Sequence, residues 1–429
     1  MWNRLIMAFI TLIQPSFSDV TVKGAKRLLI SERMEAKTTH HREKKLPKHR
    51  GKKHTKVSDV EDTFDLGIRF NKVGGNASHL TIEDYPIDDE ATLHWLRTET
   101  LAVSVIHPKD CYECLREEPN LFPNLVMYLG GPPSHPSQDP NDLFWNEFRE
   151  IMTIQILRRR SNNNIINNSY HHNSNARTIM PLPKMWKNFT LQQIADAVHD
   201  PFLGLHHIEL MRYLLVDGAT VNRDMVPSPS HIDFVRGIVM LCELNTYAIR
   251  TVAPFSFGIK WWIGRARPEE VAWLIANGTL GSNMGVPRDI VQSIHSMRLD
   301  SPTAFTAFPE GSPCHPSWPA MHSAASSASL WLAVVLNLNE AQYCEVKKVD
   351  YAIAYARTVA GVHYPSDNLA GLELGQEIMA RYLPKYLSET YGSDEKNVQD
   401  LVNERRFKWK DFLSSECLSG EWTQPKFSQ

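Results

Sequence analysis

Long apolar runs are missing from this chain. No uncharged apolar stretch among its 429 residues reaches 18 residues, so no transmembrane segment is expected and a polytopic membrane protein is excluded. Alternating, strand-like segments are scarce and no internal repeat is visible, which leaves a mainly α chain. A zinc site also lacks its parts. The C-x-x-C of Cys111 and Cys114 has no second pair at finger spacing, and structural zinc takes four ligands. An excess of positive charge is confined to one end. Residues 1–57 hold 14 Lys/Arg against 4 Asp/Glu, so a chain of net charge −2 has an acidic body, and a nucleic-acid partner is not expected.

What is present describes a soluble globular protein, 42 % hydrophobic and 22 % charged. Its first 18 residues, MWNRLIMAFITLIQPSFS, have the form of a signal peptide: Arg4, then apolar Leu5 to Ile13, then small Ser16 and Ser18. This predicts a secreted or extracellular protein, with its six cysteines as disulfide candidates of open connectivity. N-glycosylation sequons begin at Asn76, Asn167, Asn188 and Asn277. Residues 19–57 are basic and without apolar periodicity; they read as a disordered tail or propeptide, with an anionic-surface tether as the alternative. Residues 58–429 read as one catalytic domain, a multi-helix bundle interrupted by an Asn-rich loop at 158–177. His171 and His172 in that loop read as solvated residues.

Apolar residues at helical spacing predict helices over 88–106, 144–159, 190–200, 206–216 and 231–255. Three more are expected over 322–338, 346–361 and 367–387. Trp261, Trp262 and Trp331 read as core residues.

Three stretches place cations in apolar helical surroundings: KWWIGRARP (260–268), PSWPAMH (316–322) and ARTVAGVHYPSD (356–367). Buried charges are costly unless paired, and these stretches offer cations with few acids. Converging, they would bind an anion with several charged oxygens, Arg267 and Arg357 as forked donors and Lys260 as a point charge. Ser317 as a cap and Pro319 in the first turn predict a helix start there. Its N–H groups from Ala320 to His322 would face the same anion. His322 then stands at a chemically useful helix mouth, with small residues behind it that permit close packing.

K-x6-R-P at 260–268, P-x-x-H at 319–322 and R-x5-H-x3-D at 357–367 resemble the motifs of the vanadium-dependent haloperoxidase and type 2 phosphatidic acid phosphatase superfamily. FDLGIRFNKVGG (64–75) also looks like the family's leading segment. The resemblance implies the helical bundle of that family and vanadate as cofactor. His363 would bind the metal through an imidazole nitrogen, Lys260, Arg267 and Arg357 would hold the oxygens, and His322 would be the acid–base group. Asp367 would orient His363 or another histidine. Hydrogen peroxide would oxidise a halide to a hypohalous-acid equivalent that halogenates a small organic substrate, by Lewis-acid rather than redox chemistry at the metal. His315, seven residues before His322, resembles the algal bromoperoxidase pattern and implies a halide site for bromide or iodide.

Oligomeric state stays open; helical members of the family often associate, which allows a homo-oligomer. The middle motif departs from the family's usual P-S-G-H. Ala320 lacks a hydroxyl donor to the oxyanion, and Met321 stands where glycine allows close approach. The backbone donors survive both changes. Two alternatives therefore stand beside the haloperoxidase: a soluble acid phosphatase with His363 as nucleophile, and a non-catalytic oxyanion binder.

Overall fold

The computed structural model describes residues 121–164, 179–199, 204–309, 311–313 and 315–419, all within the unit Thr63–Gln429. The expectations for 1–57, 64–75, 88–106, Cys111, Cys114, Asn76, Asn167, His171 and His172 lie outside the described residues, as does Cys314. Both described sequons, at Asn188 and Asn277, are exposed.

Helix ends follow the chain's punctuation. Helices α1 (Leu121–Tyr128), α2 (Leu143–Asn164) and α3 (Leu191–Ala197) come first. Thr190 caps the start of α3 through a reciprocal exchange with Gln193, and the helix ends at Ala197, short of the expected 190–200, where Val198 leaves helical geometry. Next come α4 (Gly204–Val216) and the 30-residue α5 (Phe234–Ile263), whose first turn is capped by Asp233. α5 continues past Pro254 to Gly264, a left-handed residue with φ 67° that ends it. α6 (Pro268–Ala276) restarts with proline at its first position. α7 (Arg288–Met297) precedes a long irregular segment.

The expected single helix over 322–338 is instead broken into α8 (Met321–Ala325) and α9 (Ser329–Val335). Serine hydroxyls explain the break, because they compete for backbone partners. Ser326 Oγ donates to the Ser323 carbonyl at 3.1 Å, and Ser327 Oγ to that of Leu372 at 3.2 Å. The buried Asp350 carboxylate then accepts the Ser329 N–H at 2.7 Å and starts α9. A short strand β2 (Leu336–Asn337) follows and pairs antiparallel with β1 (Thr220–Val221). The chain ends in α10 (Glu340–Val359), α11 (Pro365–Tyr391) and α12 (Glu395–Arg405). A disulfide joins Cys344 in α10 to Cys417, while Cys242 is free.

α8 lies against α5, α10 and α11. Its small residues and two glycines of α11 make this possible: a Cβ at Gly371 or Gly375 would overlap the carbonyl oxygens of Ala320 or Ala324. Around these helices runs the main core, with Trp331, Leu332, Ile353 and Leu374 fully buried. Trp262 packs on this core from a half-buried position. Each such large apolar side chain contributes roughly 1.5–3 kcal/mol by leaving water. A second core joins α2, α6 and α7 through Phe144, Phe148, Ile275 and Ile290, and Tyr364 belongs to it. No helix among the described residues is long and apolar enough to cross a membrane.

Candidate active site

Lys260 stands on the last turn of α5, and the left-handed Gly264 turns the chain so that Arg267 follows as the N-cap of α6. Both side chains are fully buried. Lys260 Nζ donates to the carbonyls of Pro316 and Ser317 at 3.0 and 2.9 Å, pinning the segment that leads to α8. Arg267 spreads over two strips of chain: Nε donates to the His315 carbonyl at 2.9 Å and one terminal nitrogen to the Val362 carbonyl at 2.7 Å. That nitrogen also lies 3.1 Å from His363 Nε2, and the other lies 3.1 Å from His315 Nδ1. His315 is buried edge-on against Phe257. Arg357, on the last turn of α10, donates to the Val198 carbonyl at 2.6 Å and lies over the Phe308 ring.

His363 precedes α11, and Asp367 is the third residue of that helix, so its carboxylate can reach back over the helix start. Asp367 Oδ2 accepts the Tyr364 N–H at 2.9 Å and the Ser317 hydroxyl at 2.5 Å. His363 Nδ1 faces Asp367 Oδ2 and Ser317 Oγ, each at 3.2 Å. A carboxylate only accepts, so Nδ1 carries the proton and Nε2 the lone pair. An Asp at helix position three therefore fixes the tautomer of a residue outside the helix.

The electrostatic field in this cage is cationic. Burial pushes Lys260 well below its ordinary range, and Arg267 and Arg357 push the same way against the single carboxylate Asp367. Burial also takes His363 well below 6.5, helped by Arg267, Lys260 and Arg357. His322 moves likewise, first from burial and then from Arg357, Arg267, Lys260 and His199. His315 is lowered by burial, Lys260 and Arg267. All three imidazoles are thus held neutral. His322 keeps partial exposure, yet its Nε2 is sealed from solvent and meets no hydrogen-bond partner. An orphaned imidazole nitrogen within a cationic field suits a bound oxyanion, which would supply both negative charge and a hydrogen-bonding oxygen. The donor set fits a tetrahedral oxyanion such as vanadate or phosphate. Among the described residues no group of three or more His, Cys, Asp or Glu could hold a bare metal ion.

Two expectations need correction. Ser317 does not cap α8; Ala320 is the N-cap, without a side-chain bond, because the Ser317 hydroxyl is taken by Asp367. The Ala320 N–H is not free for an anion either, since it donates to the Asp367 carbonyl at 2.9 Å. Met321 sends its side chain into the main core. Reading the sequence missed Arg265, Glu147, His199 and Phe308. Only Arg265 had a visible signal, as another cation inside the apolar KWWIGRARP stretch.

Residues 239–383 match the family model of the PAP2 superfamily, a stretch that contains every residue from Lys260 to Asp367. That superfamily includes phosphatases and haloperoxidases, and the mainly helical fold agrees with its type. A comparison with curated proteins finds none that matches.

Proposed function

We propose that this chain is a vanadate-dependent haloperoxidase that uses hydrogen peroxide to oxidise bromide or iodide and so halogenate a small organic substrate. The observation that carries the reading is the cage itself: a neutral His363 with its Nε2 lone pair turned toward Arg267, and the unpartnered Nε2 of His322 in the same cationic field. Bound vanadate would supply Lewis-acid activation of peroxide without changing its own oxidation state. Lys260, Arg267 and Arg357 would hold the oxyanion's negative charge in a water-poor site, where such contacts are strongest. His363 Nε2 would bind it, with Asp367 and Ser317 keeping the proton on Nδ1. Neutral His322 would take a proton on Nε2 from the incoming peroxide and return it to the leaving oxygen. His315, against Arg267 and Phe257, would bias the halide. The Cys344–Cys417 disulfide supports an oxidising, extracellular location.

A second reading rests on the same atoms. His363 Nε2, with Asp367 behind Nδ1, also has the form of a nucleophile for a phosphate ester, and His322 would protonate the leaving group. Two assays on oxyanion-stripped protein separate the readings. One follows halogenation of a phenolic dye with orthovanadate, peroxide and each halide; the other follows hydrolysis of an aryl phosphate without vanadate. Vanadate-dependent halogenation, greater with bromide or iodide than with chloride, is expected. Hydrolysis inhibited by vanadate, without halogenation, would make the protein a phosphatase.

A further inference from the structure

Behind the cage lies a buried ionic group that touches no reacting atom. Arg265 is fully buried beside Tyr364, its guanidinium carbon 4.1 Å from the ring centroid. One terminal nitrogen donates to Asp367 Oδ1 at 2.6 Å and to Ser366 Oγ at 2.8 Å. The other donates to Glu147 Oε2 at 2.9 Å. Glu147, from α2, also accepts the Ser366 N–H at 2.6 Å and its hydroxyl at 2.9 Å. Arg265 has a second hold on the site, because its carbonyl accepts the Ser317 N–H at 2.8 Å.

Asp367 and Ser317 are the two groups that face His363 Nδ1. Arg265 grips the first by its side chain and the second by its backbone. A lone buried guanidinium would be costly and would compete with His363 for Asp367; Glu147 supplies the counter-charge that α11 alone does not. We infer that Arg265, clamped by Glu147, is the positioning residue that aims Asp367 and Ser317 at His363 and so holds the His363 Nε2 lone pair toward the oxyanion position. The part of this inference that concerns oxyanion affinity rests on the proposed function; the tautomer of His363 does not.

The test replaces both partners at once, Arg265→Met with Glu147→Met, so that neither is left behind as a stranded charge, while Asp367 keeps the Ser317 hydroxyl and the Tyr364 N–H as donors. Two readouts are taken on the folded full chain: histidine ring-nitrogen NMR of His363 without oxyanion, and orthovanadate affinity. The wild type is expected to show His363 as the single Nδ1–H tautomer. The double variant is expected to show mixed tautomers, with affinity reduced about 10- to 100-fold, the usual loss when a group behind a ligand is removed. An unchanged tautomer and affinity in the folded variant would overturn the assignment. Should the double variant not fold, Glu147→Gln, which keeps size and acceptor oxygen, is expected to shift both readouts in the same direction; wild-type behaviour there would equally overturn it. If the wild type bound no orthovanadate, the proposed function would fall, while the tautomer comparison would still decide the positioning role.

Discussion

Asp367 Oδ2 stands 3.2 Å from His363 Nδ1 although a proline-started helix begins between them. Pro365 starts that helix, so the two side chains belong to different elements and do not share a helical face. Instead the helix start brings them together: an acidic residue at the third helical position turns back toward the N-terminus, where it also accepts the Tyr364 N–H at 2.9 Å.

His322→Ala is expected to separate chemistry from binding. His322 contributes an unpartnered Nε2, not a clamp on the chain. Turnover should fall about 100-fold or more, as expected for loss of a general acid–base group, while orthovanadate affinity changes much less. Steady-state rates and equilibrium binding on the same preparation check this; equal losses in both would assign His322 to binding alone.

Ala320→Ser tests the departure in the middle motif. Ala320 is fully buried, and its N–H is spent on the Asp367 carbonyl. A hydroxyl there would add a donor, so orthovanadate should bind tighter by about 1 kcal/mol, roughly fivefold. The variant without oxyanion should melt slightly lower, since the hydroxyl is then buried unpaired. Unchanged affinity would show that the existing donors suffice.

The residues most legible in the sequence were those whose chemistry and spacing declare themselves together. Lys260, Arg267, His315, His322, Arg357, His363 and Asp367 were all named from short motifs, and the structure gathers them around one cationic volume. Helix periodicity likewise located most elements. What spacing could not show was partnership across distance. Arg265 meets a carboxylate 118 positions earlier, Glu147, and nothing local to either residue announces the other. The break between α8 and α9 was hidden for a similar reason. Its small, apolar run looks continuous, and Asp350, which starts the second helix, lies on α10. Ser317 looked like a helix cap because serine favours that role, but a buried carboxylate offered it a stronger partner.

Acid should destabilise the fold. His207, fully buried with its Nδ1 bonded to Asn245, is lowered to about 4 by burial. His315, His322 and His363 shift in the same direction. The unfolded chain would take up protons below about pH 6.5 that the folded chain refuses, so stability is present above 6.5 and lost as pH falls toward the folded values. Asp350, raised to about 7 by burial, works with the opposite sign, staying protonated in the fold where the unfolded chain ionises. Burial raises Glu150 and Glu373 in the same sense as Asp350, and the four imidazoles outweigh these three carboxyls. Urea midpoints should drop between about pH 7 and pH 5, by up to about 1.4 kcal/mol per pH unit for each imidazole; a rising midpoint would contradict this balance.

Cys417→Ser should weaken the fold while sparing the site. The bond to Cys344 closes a loop of 73-residue separation and ties the start of α10 to the last described segment. Arg357 sits at the far end of the same helix. A loss of about 2–4 kcal/mol is expected, read as a lower unfolding midpoint, with orthovanadate affinity unchanged at low temperature. An identical midpoint in wild type with and without reductant would remove the disulfide from the account.

The most direct test of the central claim is equilibrium binding of orthovanadate to stripped protein, wild type beside His363→Ala. The account predicts one saturable site per chain in the wild type, competed by phosphate, and a loss of at least about 100-fold in the variant, since both the imidazole bond and the anchored geometry disappear. Equal binding by the two proteins would show that His363 does not hold the oxyanion, and the proposed chemistry would have no centre.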